Sequence, residues 1–137
     1  MDKPIIRNPD LLYPDESYKI VAACREVYKE FGGAFKESVV DKALTIALEK
    51  QGLTVESQKR IDIFFEGIKV GTYVPDKVVE GKILLETKCK PFISAGDEKQ
   101  FWFYFRATDY KLGFLVNFGT EKLDIRRRIY DKARNKN

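Results

Sequence analysis

Asp76, Glu86 and Lys88 are the residues of this chain whose types and spacing could do chemistry together. They lie in Val74-Pro75-Asp76 and in the run Lys82-Ile83-Leu84-Leu85-Glu86-Thr87-Lys88-Cys89-Lys90. The three apolar residues of that run read as a buried strand. On a strand, residues i and i+2 point to one face, so Glu86 and Lys88 stand side by side. The two segments meet in a turn near Glu80-Gly81. A two-residue turn there sets Asp76 on the face opposite Glu86. A three-residue turn ending in Gly81, with that glycine left-handed and a bulge, puts Asp76, Leu84, Glu86 and Lys88 on one face. The sequence permits both, and glycine suits the second. With that parity, two carboxylates and an ammonium converge beside a sheet. Like charges that close are unfavourable unless a cation lies between them. A hard divalent cation takes such oxygen ligands, and a neighbouring lysine could orient or help deprotonate a water attacking a phosphodiester. The competing reading is an exposed Glu-Lys pair at a strand end, worth at most about 1 kcal/mol.

Composition narrows the choices. There is no histidine, so Ser-His and Cys-His nucleophilic catalysis and His-based zinc sites are excluded. Cys24 and Cys89 form neither a zinc cluster nor a disulfide framework, which points to a reduced, cytoplasmic setting. Any metal must therefore be held by oxygen, which favours Mg²⁺, Mn²⁺ or Ca²⁺. No run approaches a membrane span, and MDKPIIRNPD lacks the apolar region of a secretory signal. The net charge of +4 is uneven: seven Lys/Arg in 122–137 face only Asp124 and Asp131, leaving a nearly neutral body. A basic end is compatible with a polyanionic partner and equally with a solvated tail.

The elements that must position these residues follow from periodicity. Pro14-Asp15-Glu16 opens a helix whose stripe is Ile20, Cys24, Val27 and Phe31, ended by Gly32-Gly33. A second helix is expected from Lys36 to Gln51, burying Val39, Val40, Ala43, Leu44, Ala47 and Leu48. From Val55 to Phe65 the period becomes that of a strand. Val70 to Val79 is a second strand and Lys82 to Cys89 a third. Asp97-Glu98 starts an aromatic-rich helix, with Trp102, Phe92, Phe101, Phe103 and Phe105 assigned to core packing. Leu112 to Phe118 and Leu123 to Tyr130 close as two strands around Gly119-Thr120. The expected fold is α/β (α+β) in the order α-α-β-β-β-α-β-β, one mixed sheet with helices against it. The expected organisation is an extension over 1–14, one domain over 15–130 and a basic tail over 131–137.

Asp76 after Pro75, followed by Glu86-Thr87-Lys88, resembles the PD-(D/E)XK nuclease signature, and the element order is the one that restriction-endonuclease-like fold requires. From Leu11-Leu12-Tyr13 through Leu112-Gly113-Phe114-Leu115-Val116-Asn117-Phe118-Gly119, the chain is similar to the small bacterial and archaeal GxxExxY family of that superfamily. The namesake segment falls on Ala34-Phe35-Lys36-Glu37-Ser38-Val39-Val40, which keeps the glutamate but has Ala34 for the glycine and Val40 for the tyrosine. Gln100 and Tyr104 match the Gln-x-x-x-Tyr motif of RecB-like members and would share one helix face.

The resemblance implies a metal-dependent nuclease. Asp76, Glu86, the Thr87 backbone carbonyl and Glu37 would hold Mg²⁺ or Mn²⁺, and Lys88 would position the attacking water. DNA would be bound through Lys90, Arg106, Arg126 and Arg128, with Gln100 and Tyr104 beside the site. Along a strand, Arg127 must face away from Arg126 and Arg128. Self-association into a homodimer is compatible with this reading. The rival is a non-catalytic nucleic-acid- or protein-binding module that keeps the fold, favoured by the altered namesake segment.

Overall fold

The computed structural model describes residues 12–130. The expected tail over 131–137 and most of the extension over 1–14 lie outside them. α1 (Pro14–Phe31) begins with proline, whose missing N–H is no loss in a first turn, and carries Asp15 and Glu16 where the helix dipole favours acids. It buries Ile20, Ala23, Cys24 and Val27 and stops at Gly32, whose φ is 70°. α2 (Glu37–Lys50) packs beside it through Val40, Leu44, Ala47 and Leu48.

Seven strands follow: β1 (Val55–Ser57), β2 (Ile61–Phe65), β3 (Ile68–Tyr73), β4 (Lys77–Val79), β5 (Ile83–Lys88), β6 (Leu112–Phe118) and β7 (Leu123–Ile129). Helix α3 (Ala95–Arg106) crosses between β5 and β6. The main sheet has the order β1-β4-β5-β6-β7, with β5 and β6 parallel and every other pair antiparallel. β2 and β3 form a separate hairpin.

The α+β class is as expected, and the strands within it are more finely divided. The segment over 55–65 is cut at Gln58, which takes a left-handed φ of 58°. The segment over 70–79 is cut at Val74-Pro75-Asp76, because proline has no N–H to give to a ladder. The order is therefore α-α-β-β-β-β-β-α-β-β. α3 starts two residues earlier than expected because Ser94 and Asp97 form a reciprocal capping box.

Strand alternation divides the core between the two faces of the sheet. Ile83 and Leu85 face α1 and α2, together with Val79, Phe114 and Val116. Leu84 faces α3, with Val78, Leu115, Phe101 and Phe105. Gly113 makes room for α3: a Cβ there would come within 2.9 Å of the Phe101 ring. Phe92 and Phe103 do not join the core. They are 69% and 57% exposed, since Phe103 lies two residues off the Phe101–Phe105 face and Phe92 sits on a loop. No helix among the described residues is long and apolar enough to cross a membrane.

One charged group lies inside the α2-facing layer. Lys77 is fully buried, and its Nζ donates to Asp41 Oδ1 of α2 at 2.5 Å. Removing one member of such a pair strands the other charge. Asp41→Ala is therefore expected to lower unfolding free energy by about 2–3 kcal/mol in urea titration, the half-exposed side of Asp41 moderating the loss. Lys77→Met combined with Asp41→Leu should recover most of it. A harmless Asp41→Ala would mean that the pair anchors nothing.

Candidate active site

The hairpin between β4 and β5 decides whether the carboxylates meet. Val79 pairs with Ile83 and Lys77 with Leu85, so the turn is Glu80-Gly81-Lys82, one residue later than the expected turn ending in Gly81, because Glu80 as well as Gly81 is left-handed. That parity brings Asp76 directly opposite Glu86. The Asp76 backbone N–H donates to Glu86 Oε1 at 2.8 Å, and Asp76 Oδ2 accepts from the Thr87 N–H at 2.7 Å and from its hydroxyl at 3.1 Å. The break at Pro75 frees Asp76 from the ladder, so its backbone and side chain both reach β5.

Burial and the adjacent Asp76 charge push the Glu86 carboxyl up to about 7, against the lowering effect of the Asp76 N–H and of nearby Lys88. Two carboxylates held this close, one largely desolvated, form a hard oxygen donor set that suits Mg²⁺ or Mn²⁺. Among the described residues, no three His, Cys, Asp or Glu side chains come together, so further ligands would be backbone oxygen or water. Glu37 is the exposed first residue of α2 and stands outside the pair. Its charge and that of Asp76 both reach Cys89, whose thiol is pushed up to about 11, chiefly by burial.

The other expected residues divide. Tyr104 is half-exposed and stacks on Tyr73, ring centroids 4.8 Å apart at 10°. Gln100 is exposed one turn earlier on α3. Lys90 is taken up by Asp97, at 2.7 and 2.9 Å, while its backbone exchanges two bonds with Asn117. Arg126 and Arg128 both pair with Glu98 of α3, and Arg126 also with Asp124. Arg127 turns the other way, to the Leu12 carbonyl and Ser17. Arg106 lies over the rings of Trp102 and Tyr130. The structure thus gathers Asp76, Glu86, Thr87 and Lys88 and ties Lys90, Arg126 and Arg128 to acids elsewhere.

Tyr73 was not anticipated. It is buried, and among the described residues no hydrogen bond of full geometry reaches its hydroxyl, although Glu86 and Asp76 are near enough to raise its pKa beyond what burial alone does. Its signal in the sequence was weak. Tyr73 ends a strand three residues before Asp76, and the break at Pro75 removes the alternation that would have aimed it.

A family model described as the PD-(D/E)XK nuclease superfamily matches residues 14–128. The chain belongs to that superfamily. Searches of curated proteins and of solved structures return no match. Nucleases of the superfamily generally use divalent metals, in keeping with the Asp76–Glu86 pair.

The loop leading to Glu37 shows what Ala34 does. Gly33 lies against the carbonyl of Gly119, so close that a Cβ would overlap it, and Tyr28 Oη donates to the same carbonyl at 2.7 Å. Ala34 follows with a left-handed φ of 57° and donates its N–H to the Phe118 carbonyl at 3.3 Å. Glycine adopts that conformation without the Cβ penalty. Ala34→Gly is expected to raise stability by about 0.5–1 kcal/mol in chemical denaturation, where an alanine-to-glycine change ordinarily costs. A loss of stability would show the loop to be unstrained.

The paired carboxylates also predict a pH dependence. In the folded, metal-free chain Glu86 holds its proton more tightly than in the unfolded chain, so its contribution favours folding at low pH and is lost as pH rises through about 7. The loss amounts to roughly 3 kcal/mol at most. In EDTA, Glu86→Gln should match the native chain near about pH 5 and be the more stable of the two near about pH 8. Added Mn²⁺ should stabilise the native chain at the higher pH and leave the variant unchanged. Parallel pH profiles for the two proteins would contradict the assignment.

Proposed function

We propose that the protein is a metal-dependent nuclease that hydrolyses phosphodiester bonds in DNA, working in the cytoplasm and belonging to the GxxExxY branch of its superfamily. The observation carrying the proposal is the direct facing of Asp76 and Glu86 at the mouth of β5, with Lys88 two residues on. In this reading Asp76, Glu86 and the Thr87 carbonyl would hold Mg²⁺ or Mn²⁺, and Glu37 of α2, which stands outside the pair, would reach the ion through water. A divalent cation bound there would act as Lewis acid toward the phosphate and lower the pKa of a water.

The chain's own residues do the rest. The Thr87 N–H and hydroxyl fix one oxygen of Asp76, and the Asp76 N–H fixes one oxygen of Glu86, so both carboxylates are oriented before any ligand binds. Lys88 has no ion-pair partner among the described residues, so its ammonium remains available to orient the attacking water and to offset charge developing on the phosphate. Gln100 and Tyr104 flank the site from α3, and Arg106 offers a cation farther along the same helix. A second reading, a DNA-binding module without catalysis, draws on Ala34 and Val40 in place of the family's glycine and tyrosine.

Supercoiled plasmid, linear duplex and single-stranded DNA should be cleaved with Mn²⁺ or Mg²⁺ and left intact with EDTA. Glu86→Ala and Lys88→Ala, purified identically, should each lower the rate about 100-fold or more. Cleavage equal in native and variant proteins would expose a contaminant, and binding with no cleavage on any substrate would select the module.

A further inference from the structure

Helix α3 has a second face that the nuclease site does not explain. Phe101 and Phe105 enter the core, whereas Phe103 and Tyr104 turn outward, 57% and 40% exposed. Together with Ile63 of β2, Lys99 and Gln100, they line an open groove of about 600 Å³ between α3 and the β2–β3 hairpin. Among the described residues no carboxylate lines it and Lys99 is its one charged side chain, while neighbouring Glu98 is drawn to the other side of the helix by Arg126 and Arg128. One ring of the groove touches a neighbour of the site. The Tyr104 ring stacks on Tyr73, and the Tyr73 hydroxyl lies beside Glu86.

A duplex keeps its flat base faces inside the stack and offers such a surface phosphates, sugars and groove edges but no face to stack on. An unpaired strand offers both flat apolar bases and phosphates, the chemistry that exposed rings beside an unopposed lysine can receive. We propose that this groove receives an unpaired DNA strand, its bases stacking on Phe103 and Tyr104 and its backbone lying along Lys99 and Gln100, so that the strand is delivered to Asp76 and Glu86 single. The identity of the ligand as DNA rests on the nuclease reading; the shape and chemistry of the groove do not.

The test is fluorescence anisotropy on the full chain in EDTA, with a labelled single strand and a blunt duplex of the same sequence. The single strand is expected to bind about tenfold more tightly. Phe103→Ala should weaken that binding about tenfold while leaving duplex binding unchanged, and Phe103→Trp should retain it. Lys99→Ala should reduce the salt dependence for the single strand by a slope of about 0.7. Equal affinity for both DNAs, or indifference to Phe103→Ala, overturns the inference. So does sedimentation showing a self-associated chain that Phe103→Ala renders monomeric without loss of DNA binding, since the face would then belong to a second copy. The two proposals separate cleanly. Phe103-dependent single-strand binding without metal-dependent cleavage keeps the groove and removes the nuclease. Metal-dependent cleavage insensitive to Phe103→Ala and to strandedness does the reverse.

Discussion

The buried Lys77–Asp41 ion pair is the constraint on which the geometry of the site depends. Lys77 immediately follows Asp76, and strand alternation sends their side chains to opposite faces of the sheet. Fixing the lysine among α2 and the sheet therefore fixes the aspartate on the α3 side, facing Glu86. The same bond acts on the helix. Asp41 is one turn beyond Glu37, so the hold on Asp41 also sets the rotation of α2 and the direction in which its first residue looks. A buried ion pair contributes little net stability over an apolar pair of the same shape, since desolvation offsets most of the attraction. Its value here is positional, because an apolar contact in that layer would tolerate slippage that a single charge-assisted bond at 2.5 Å does not.

A second constraint comes from the turns. Glu80 and Gly81 both adopt left-handed conformations in a three-residue turn, and the added residue sets the parity of Asp76 against Glu86. Glu80 is kept in place by its carboxylate, which accepts from the Thr54 N–H at 2.6 Å and from the Thr54 hydroxyl at 3.0 Å, and so ties the turn to the approach of β1. At the other end of the strand, Asn117 clamps the backbone of Lys90 from β6. Glu86 and Lys88 thus stand on a strand held at both ends, which is how a site keeps its spacing without a ligand present.

Much of this was legible in the sequence wherever period and backbone chemistry spoke alone. Helices α1 and α2 followed their apolar stripes, and the shared face of Asp76 and Glu86 was one of two parities the turn allowed, although the turn itself falls one residue later than Gly81 suggested. What was not legible depended on tertiary partners. A lysine between Asp76 and two valines reads as solvated, and only Asp41, distant in sequence, makes its burial tolerable. The aromatic run of α3 reads as uniformly apolar, whereas the helix can press only one side against the sheet, so Phe103 is left outside. Ser94 and Asp97 were a readable cap that the surrounding loop signals of Pro91 and Gly96 obscured.

The distribution of charge sets how such a protein would hold a polyanion. A net charge of +4 suggests a basic surface, yet several of its cations are paired within the fold. Lys90 goes to Asp97, Arg126 and Arg128 to Glu98, Lys82 to Glu16, and Arg127 to the Leu12 carbonyl. Of the cations without an ion-pair partner among the described residues, only Lys88, Lys99 and Arg106 lie on the strand and helix that border the carboxylates. Few phosphate contacts mean little counterion release, so charge alone supplies modest affinity. Exposed rings on the same helix then have to contribute what the cations do not. On the proposed reading, that division would favour substrates whose base faces are accessible.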